Sequence, residues 1–312
     1  MSTSDNPQAW LSGSSPAEEW EARATQRVLD ELFCFARQYR RSDAYNLLLD
    51  FVASFRSYSP FNALLVRAQM QGARFVAPAH RWIKDYGRTV KSNATPLVIL
   101  QTMGPVMFVF DVSDTEPGPF AKPLPPEVDK PFEVRNGRIV DELDKTINNA
   151  KRDGIRILSR KDGSQSAGAI SPAAGPPLVF DMGNDRSGNP KLVTVPTRYE
   201  MIVSQTMKLE AQYATVVHEL AHLYCGHIGT PNSKWWPDRR GLEDDVREFE
   251  AESVAYLVCA RLGIDNPSET YLAGYLGVNE EVPDISLDLV MKSAGLIEKM
   301  AKGKMTQRSE KT

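Results

Sequence analysis

The sequence predicts an α+β protein, on three observations. Apolar residues recur at helical spacing near both ends of the chain, short apolar runs bounded by Gly and Pro lie between them, and no internal repeat is present. The capping box Ser15-Pro16-Ala17-Glu18, with proline at the first helical position, starts a helix whose face Trp20, Val28, Leu29, Leu32, Phe33 and Phe35 runs to about Tyr39. A second helix is expected over 44–55. Ser59-Pro60 opens a third, with Phe61, Leu64, Leu65 and Ala68 on one side. The runs 96–101 and 106–112, separated by Met103-Gly104-Pro105, read as paired strands.

Prolines crowd the stretch from 114 to 131, which marks a domain boundary. The expected organisation is a disordered 1–14, an N-terminal α+β domain over 15–116, a proline-rich linker over 117–131, a second domain over 132–302 and a frayed tail over 303–312. Within the second domain a helix is expected near 140–151 and strands at 155–158, 179–181 and 192–195. The Gly/Ser/Ala/Pro segment 163–177 reads as an exposed loop. Strong helices cover 207–227 and 243–262, Asn266-Pro267-Ser268-Glu269 caps another, and a last one spans about 286–301.

The 312 residues suffice for two domains, and a composition 42% hydrophobic and 25% charged is that of a globular protein. No apolar run approaches the roughly 18 residues of a membrane span, and the first twenty residues lack a signal-peptide core. Cys34, Cys225 and Cys259 are odd in number, far apart and without CxxC spacing, which predicts a reducing, cytoplasmic setting rather than a disulfide framework. The net charge of −3 hides an asymmetry. Residues 21–91 hold twelve Lys/Arg against six Asp/Glu, and the remainder 25 against 34, a weak pointer to an anionic partner for the N-terminal part.

Chemistry concentrates further along. Of four histidines, three (His218, His222 and His227) lie within ten residues. His218-Glu219-Leu220-Ala221-His222 is an HExxH motif inside a helical segment, so the two imidazoles stack on one face about 6 Å apart, a separation suited to one tetrahedral zinc. Glu219 falls beside them, where a general base belongs. The apolar neighbours Val216, Val217, Leu220, Ala221 and Leu223 mark the helix as buried. A third protein ligand is needed. His227 does not fall at the offset of the extended motif HExxHxxGxxH, and reads as a helix-end residue or one behind the ligands. The acidic helix 243–252 offers Glu248, Glu250 and Glu252. Glu248 and Glu252 share a face as i,i+4 partners, so one can ligate while the other accepts the ring N–H of a ligating histidine. Glu250 points about 200° away from Glu248.

His218-Glu219-Leu220-Ala221-His222 followed by Glu248-Phe249-Glu250-Ala251-Glu252 resembles the gluzincin arrangement, HExxH with a later ExxA(D/E/N). It is similar above all to ImmA/IrrE-type metallopeptidases and to the peptidase half of ArdC-type antirestriction proteins. The resemblance covers about residues 205–265. It implies a zincin-like domain, Zn2+ as cofactor, Glu248 as third ligand with Glu252 behind it, and a regulatory metalloprotease acting on a specific protein such as a repressor. A mechanism follows in which Glu219 accepts a proton from water and returns it to the leaving amine. Residues 202–204, just before the helix, are a candidate edge strand for an extended peptide.

A second, weaker resemblance to the N-terminal domain of ArdC-type proteins covers about 58–116. It rests on Phe61-Asn62-Ala63-Leu64-Leu65, Trp82 with Gly87-Arg88-Thr89-Val90-Lys91, and Val109-Phe110-Asp111-Val112. It implies single-stranded DNA binding, and the residues that suit it are Arg81, Trp82, Lys84, Arg88 and Lys91, basic groups interleaved with aromatics. The alternative function is therefore an antirestriction, DNA-binding protein in which zinc is accessory; an intact Glu219 argues against a merely structural site. Two further candidates remain: Trp235-Trp236-Pro237 as a wall or lid over a cleft, and Tyr213 or Tyr256 as oxyanion donors.

Overall fold

The computed structural model describes residues 42–101, 104–124, 138–160, 168–184, 188–264, 281–303, 305–306 and 308. The segment 1–14, the helix expected from Ser15, Cys34, the helix capped by Asn266, and Pro125, Pro126 and Pro131 lie outside the described residues. The architecture is mixed α+β and divides into two compact units, Met1–Gln38 with Asn62–Pro131, and Tyr39–Phe61 with Phe132–Thr312. No described helix is long and apolar enough to cross a membrane.

In the first unit, β3 (Leu97–Gln101) and β4 (Gly104–Asp111) pair antiparallel as the two apolar runs suggest, and β1 (Val76–Ala77) adds to the other side of β4. The outer edge of β3 is met by two carboxamides of α2 (Pro60–Gln69). Asn62 donates to Leu100 O at 2.8 Å and accepts from Leu100 N at 3.0 Å, and Gln69 makes the same pair with Val98 at 2.8 Å each. Backbone groups at a sheet edge are thereby satisfied by side chains. Helix α3 (Ala79–Tyr86), not among the expected elements, buries Trp82 against Ala77 and Val112, with Phe75 and Tyr86 packed around it. It ends at Gly87 in the left-handed region (φ 62°), where a side chain would run into the Phe120 carbonyl, so glycine is required.

Strand β2 (Arg88–Val90) then pairs with β5 (Thr115–Pro117), and Gly118 N and Lys122 N donate back to Gly87 O and Tyr86 O. The stretch expected to begin a linker at 117 is thus hydrogen-bonded into the first unit up to Lys122, because its prolines sit where no ladder N–H is called for.

The second unit begins with α1 (Ser42–Ser54), expected in the N-terminal domain but grouped with residues after 132. Its Leu48, Leu49 and Val52 are fully buried, and it packs on α6 (Asp244–Leu262): the Tyr45 and Phe249 rings lie 5.2 Å apart and Tyr45 donates to Ser253 Oγ at 2.8 Å. Arg261 of α6 donates to Val52 O at 2.7 Å, Phe55 O at 3.0 Å and Tyr58 O at 2.5 Å, and its Nε donates to the buried carboxylate of Glu298 on α7 (Leu287–Lys302). One guanidinium therefore caps the end of α1 and the turn after it, and ties three helices together.

Helix α4 (Glu142–Arg152) leads through Gly154 (φ 87°) into β6 (Ile155–Arg160). Strands β8 (Leu178–Asn184) and β9 (Pro190–Val195) form a separate antiparallel ribbon. The sheet around β6 differs from expectation in two places. The segment expected as a loop contains strand β7 (Gly168–Pro172), and β10 (Tyr199–Ser204), whose end was the candidate edge strand, is central in the order β6-β10-β7. Strand β10 runs parallel to β6 and antiparallel to β7, so both its edges are used and β7 carries an outer edge. A Gly/Ser/Ala/Pro composition gives no strand signal by itself; β7 forms because β10 offers it a ladder. The tail expected to fray is bonded where described, Met305 N to Asn149 Oδ1 at 2.9 Å and Arg308 to Asp153 at 3.0 Å.

Candidate metal centre

Helix α5 (Leu209–Tyr224) packs on β7 and β10 on one side and on α6 on the other, and past its first turn most of its side chains are buried. Val216, Val217, Leu220, Ala221 and Leu223 are fully buried, which leaves His218, Glu219 and His222 as the polar exceptions on the face toward α6 and β7. The close approach of β7 depends on Gly168, where a Cβ would stand 2.5 Å from Thr215 Cγ2 and 3.4 Å from Glu219 Cγ. The Ile170 N–H of the same strand donates to the Glu219 carboxylate.

Four atoms define the centre. His218 Nε2 and His222 Nε2 are 3.1 Å apart; Glu248 places Oε2 3.5 Å from the first and Oε1 3.4 Å from the second. Tetrahedral zinc with bonds of ~2.0–2.1 Å has ligand–ligand edges of about 3.3 Å, and each of these separations is close to that edge, with Glu248 turning a different oxygen toward each imidazole. His218, His222 and Glu248 are only half-buried, which leaves the centre reachable from solvent. Behind them, Glu252 Oε1 lies 3.3 Å from His218 Nδ1, the position of a carboxylate that orients a ligating imidazole.

The electrostatics suit a cation. Burial opposes charge on His218, but hydrogen bonds to Glu248 and Glu252 outweigh it and push its pKa up to about 10. Hydrogen bonds from His218 and His222 hold the Glu248 carboxyl well below the usual carboxylate range. Glu219 moves the other way, raised by burial with the nearby histidines opposing, which increases its affinity for a proton.

His227 is not among the three donors. It sits just past the helix end, 0% exposed as a side chain, with Nδ1 3.0 Å from His222 Nδ1 and Nε2 2.8 Å from Glu250 Oε2. Glu250 faces away from the centre, as its angle to Glu248 dictates. It accepts two bonds from Arg239 (2.6 and 2.8 Å) and one from Ser286 N (2.6 Å), which together keep it ionised against burial. Cys225, His227 and Glu250 also have ligand atoms within 4.8 Å of one another, but the Arg239 guanidinium already supplies the positive charge there.

The structure thus brings together His218, Glu219, His222, Glu248 and Glu252, and separates several other candidates from them. Tyr213 is fully buried toward Thr146 of α4, and Tyr256 donates to Asp50 at 2.7 Å, so neither is an oxyanion donor. Trp236 is buried against Tyr224 and donates to Gly229 O at 2.9 Å, while Trp235 lies under the guanidinium groups of Arg198 and Arg308. The pair packs beneath its loop rather than forming a lid. Arg239 and Ile170 were not foreseen, since neither has a local motif.

In the first unit the expected nucleic-acid residues are not a row of stacking platforms. Trp82 is 0% exposed and donates to Phe110 O at 2.9 Å, because Trp82 and Tyr86, i,i+4 on α3, both turn toward the core. Arg81 pairs with Asp85 at 2.8 Å, Arg88 donates to Thr115 Oγ1 at 2.7 Å, and Lys91 donates to Ser113 O at 2.8 Å; Lys84 is exposed. Residues interleaved in sequence are sorted by the helix onto opposite sides.

No protein-family model and no curated protein matches the chain. Among solved structures, it is similar to the metal-free crystal structure of the antirestriction protein ArdC from the R388 plasmid. Identity is 15%, 78% of this chain and 82% of that one are covered, and the TM-score is 0.30. So distant a likeness transfers no residue and no role, and the chemistry is read from its own side chains.

Proposed function

We propose that the chain is a zinc-dependent metallopeptidase acting on protein or peptide substrates. The observation that carries this reading is the convergence of His218 Nε2, His222 Nε2 and the Glu248 carboxylate at about the ligand spacing of zinc, with the Glu219 carboxylate beside them. Two imidazoles and one carboxylate are a donor set suited to catalytic zinc, and half-burial leaves a side open to water and substrate. Zinc held there would act as a Lewis acid and lower the pKa of water to ~7. Glu219 takes the proton of the attacking water and delivers it to the leaving amine. Ile170 N–H fixes one side of that carboxylate, and burial keeps its proton affinity high enough for both transfers. An extended peptide pairs with the outer edge of β7, the strand whose Ile170 N–H donates to Glu219. The sequence match HExxH with Glu248-Phe249-Glu250-Ala251-Glu252 supports a regulatory enzyme with one specific protein substrate, such as a repressor-like regulator.

Elemental analysis and peptide hydrolysis together test the reading. Wild type is expected to hold about one zinc per chain; His218→Ala, His222→Ala and Glu248→Ala lose most of it. Glu219→Gln keeps the zinc and loses hydrolysis, by at least the ~100-fold that general-base catalysis supplies. Equal zinc in wild type and both histidine variants would overturn the centre, and full hydrolysis by Glu219→Gln would overturn the mechanism.

A further inference from the structure

We propose that His227 is a positioning residue: with Glu250 and Arg239 it forms a buried relay that fixes the tautomer of His222 and aims the Nε2 lone pair of that ring at the metal centre. The proposal rests on the reading of His222 as a ligand. It concerns a residue that neither contacts the ligand trio's Nε2 atoms nor belongs to the HExxH motif.

The relay is read outward from its most constrained member. Glu250 is 0% exposed, and its two oxygens accept from Arg239 Nη1, Arg239 Nη2 and Ser286 N at 2.6, 2.8 and 2.6 Å. Three donors on one buried carboxyl leave it acceptor-only. The remaining contact, His227 Nε2 at 2.8 Å from Oε2, is therefore an N–H that donates. Arg239 and Glu250 already neutralise each other, so an added charge on the fully buried His227 ring would have no counterion of its own. Neutral His227 with its proton on Nε2 has a bare Nδ1, and that atom lies 3.0 Å from His222 Nδ1. With no metal ion or shared proton between them, two lone pairs do not face each other at that distance, so His222 donates from Nδ1. Its Nε2 is then unprotonated, and it is this atom that lies 3.1 Å from His218 Nε2 and 3.4 Å from Glu248 Oε1.

The backbone builds the relay in place. His227 N donates to His222 O at 2.9 Å, which closes the helix end and turns the His227 ring beneath that of His222. Gly226 (φ 85°) makes the turn, and a side chain there would strike the Pro237 carbonyl. Arg239, two residues beyond Pro237, also donates to Cys225 O at 3.1 Å, so one guanidinium holds both the helix end and Glu250. His218 is served by a separate carboxylate, Glu252 at 3.3 Å. The two ligating rings thus have different supports, one direct and one through a second imidazole.

The test reads the histidine nitrogens of the full chain by long-range 15N–1H correlation spectra, with and without zinc; four histidines make assignment by single variants practical. The expected result is His227 protonated at Nε2 in both states, and zinc-loaded His222 retaining its Nδ1 proton. Zinc affinity, measured by competition with a chromophoric chelator, is expected to fall ~10–100-fold in His227→Phe and to recover in part in His227→Gln, whose carboxamide oxygen restores an acceptor. Glu250→Gln is expected to weaken zinc as well, by offering His227 a donor and reversing the chain of tautomers. A His227 proton on Nδ1 in zinc-loaded wild type overturns the relay while leaving the zinc reading intact. Tautomers as stated in a chain that takes up no zinc support the relay and overturn the zinc reading instead.

Discussion

Cys225 shows how closely single residues near the centre are constrained. Its thiol is fully buried two residues before His227, where burial and the neighbouring Glu250 charge push its pKa up to about 12, against a hydrogen bond with Ser293. The sign follows from linkage. The native thiol keeps its proton while an unfolded one ionises near ~8.5, so this group withdraws stability as pH rises from the unfolded value toward the native one. Between about pH 7 and 9 alkylation of Cys225 in the folded protein is therefore expected to be slow and nearly independent of pH. In urea it should become fast and rise with pH. Peptide-level mass spectrometry after timed iodoacetamide treatment checks this; rapid native labelling would mean that the helix end opens. The same scale explains the nucleic-acid expectation. Arg81, Trp82, Lys84, Arg88 and Lys91 set one ring among four charges in sequence, but the helical period sends Trp82 inward and pairs Arg81 with Asp85 four residues on.

Between elements, Arg261 joins α1, α6 and α7 through three carbonyls and the Glu298 carboxylate. Arg261→Met is expected to destabilise the fold by about 3–5 kcal/mol, because Glu298 is left buried without a counterion. A paired Arg261→Met, Glu298→Leu change should recover part of that loss, since two apolar groups leave no stranded charge. Urea denaturation of the single and double variants reads this directly, and equal stabilities would show the ion pair to be dispensable. None of it was legible in the sequence, where Arg261 is an ordinary helix-end arginine and its partners lie more than thirty residues away. What could be read in advance were elements with their own period or chemistry. Strands β3 and β4, helices α5 and α6, and the i,i+4 relation that sets Glu252 behind His218 all fall where local pattern puts them. Strand β7 could not be read, because its existence depends on the edge of β10 rather than on its own residues. The relay escaped for a related reason: Arg239, Glu250 and His227 acquire meaning only from one another.

For the whole molecule, the division into two units sets how far the effect of a metal can reach. Residues His218, His222 and Glu248 all belong to the second unit, whose helices α1, α5, α6 and α7 share one buried core. The first unit, apart from Met1–Gln38, is a single stretch, Asn62–Pro131, inserted between two segments of the second, and Trp82 with Val112 and Ala77 centres a cluster of its own. A ligand that binds only the native state stabilises it by RT ln(1 + [L]/Kd), about 2.7 kcal/mol at a hundredfold excess over Kd. That stabilisation appears only in openings that break the site. Hydrogen exchange with and without zinc is therefore expected to slow amides of α5 and α6, and of α1 and α7 packed on them, by up to ~100-fold at that excess. Amides of α3, β3 and β4 should exchange at unchanged rates. In His222→Ala the zinc effect should vanish from both sets, which separates metal binding from a general effect of added salt. Slowing of equal size in α3 and β4 would show that the two units open as one, and would extend the influence of the centre to the whole chain.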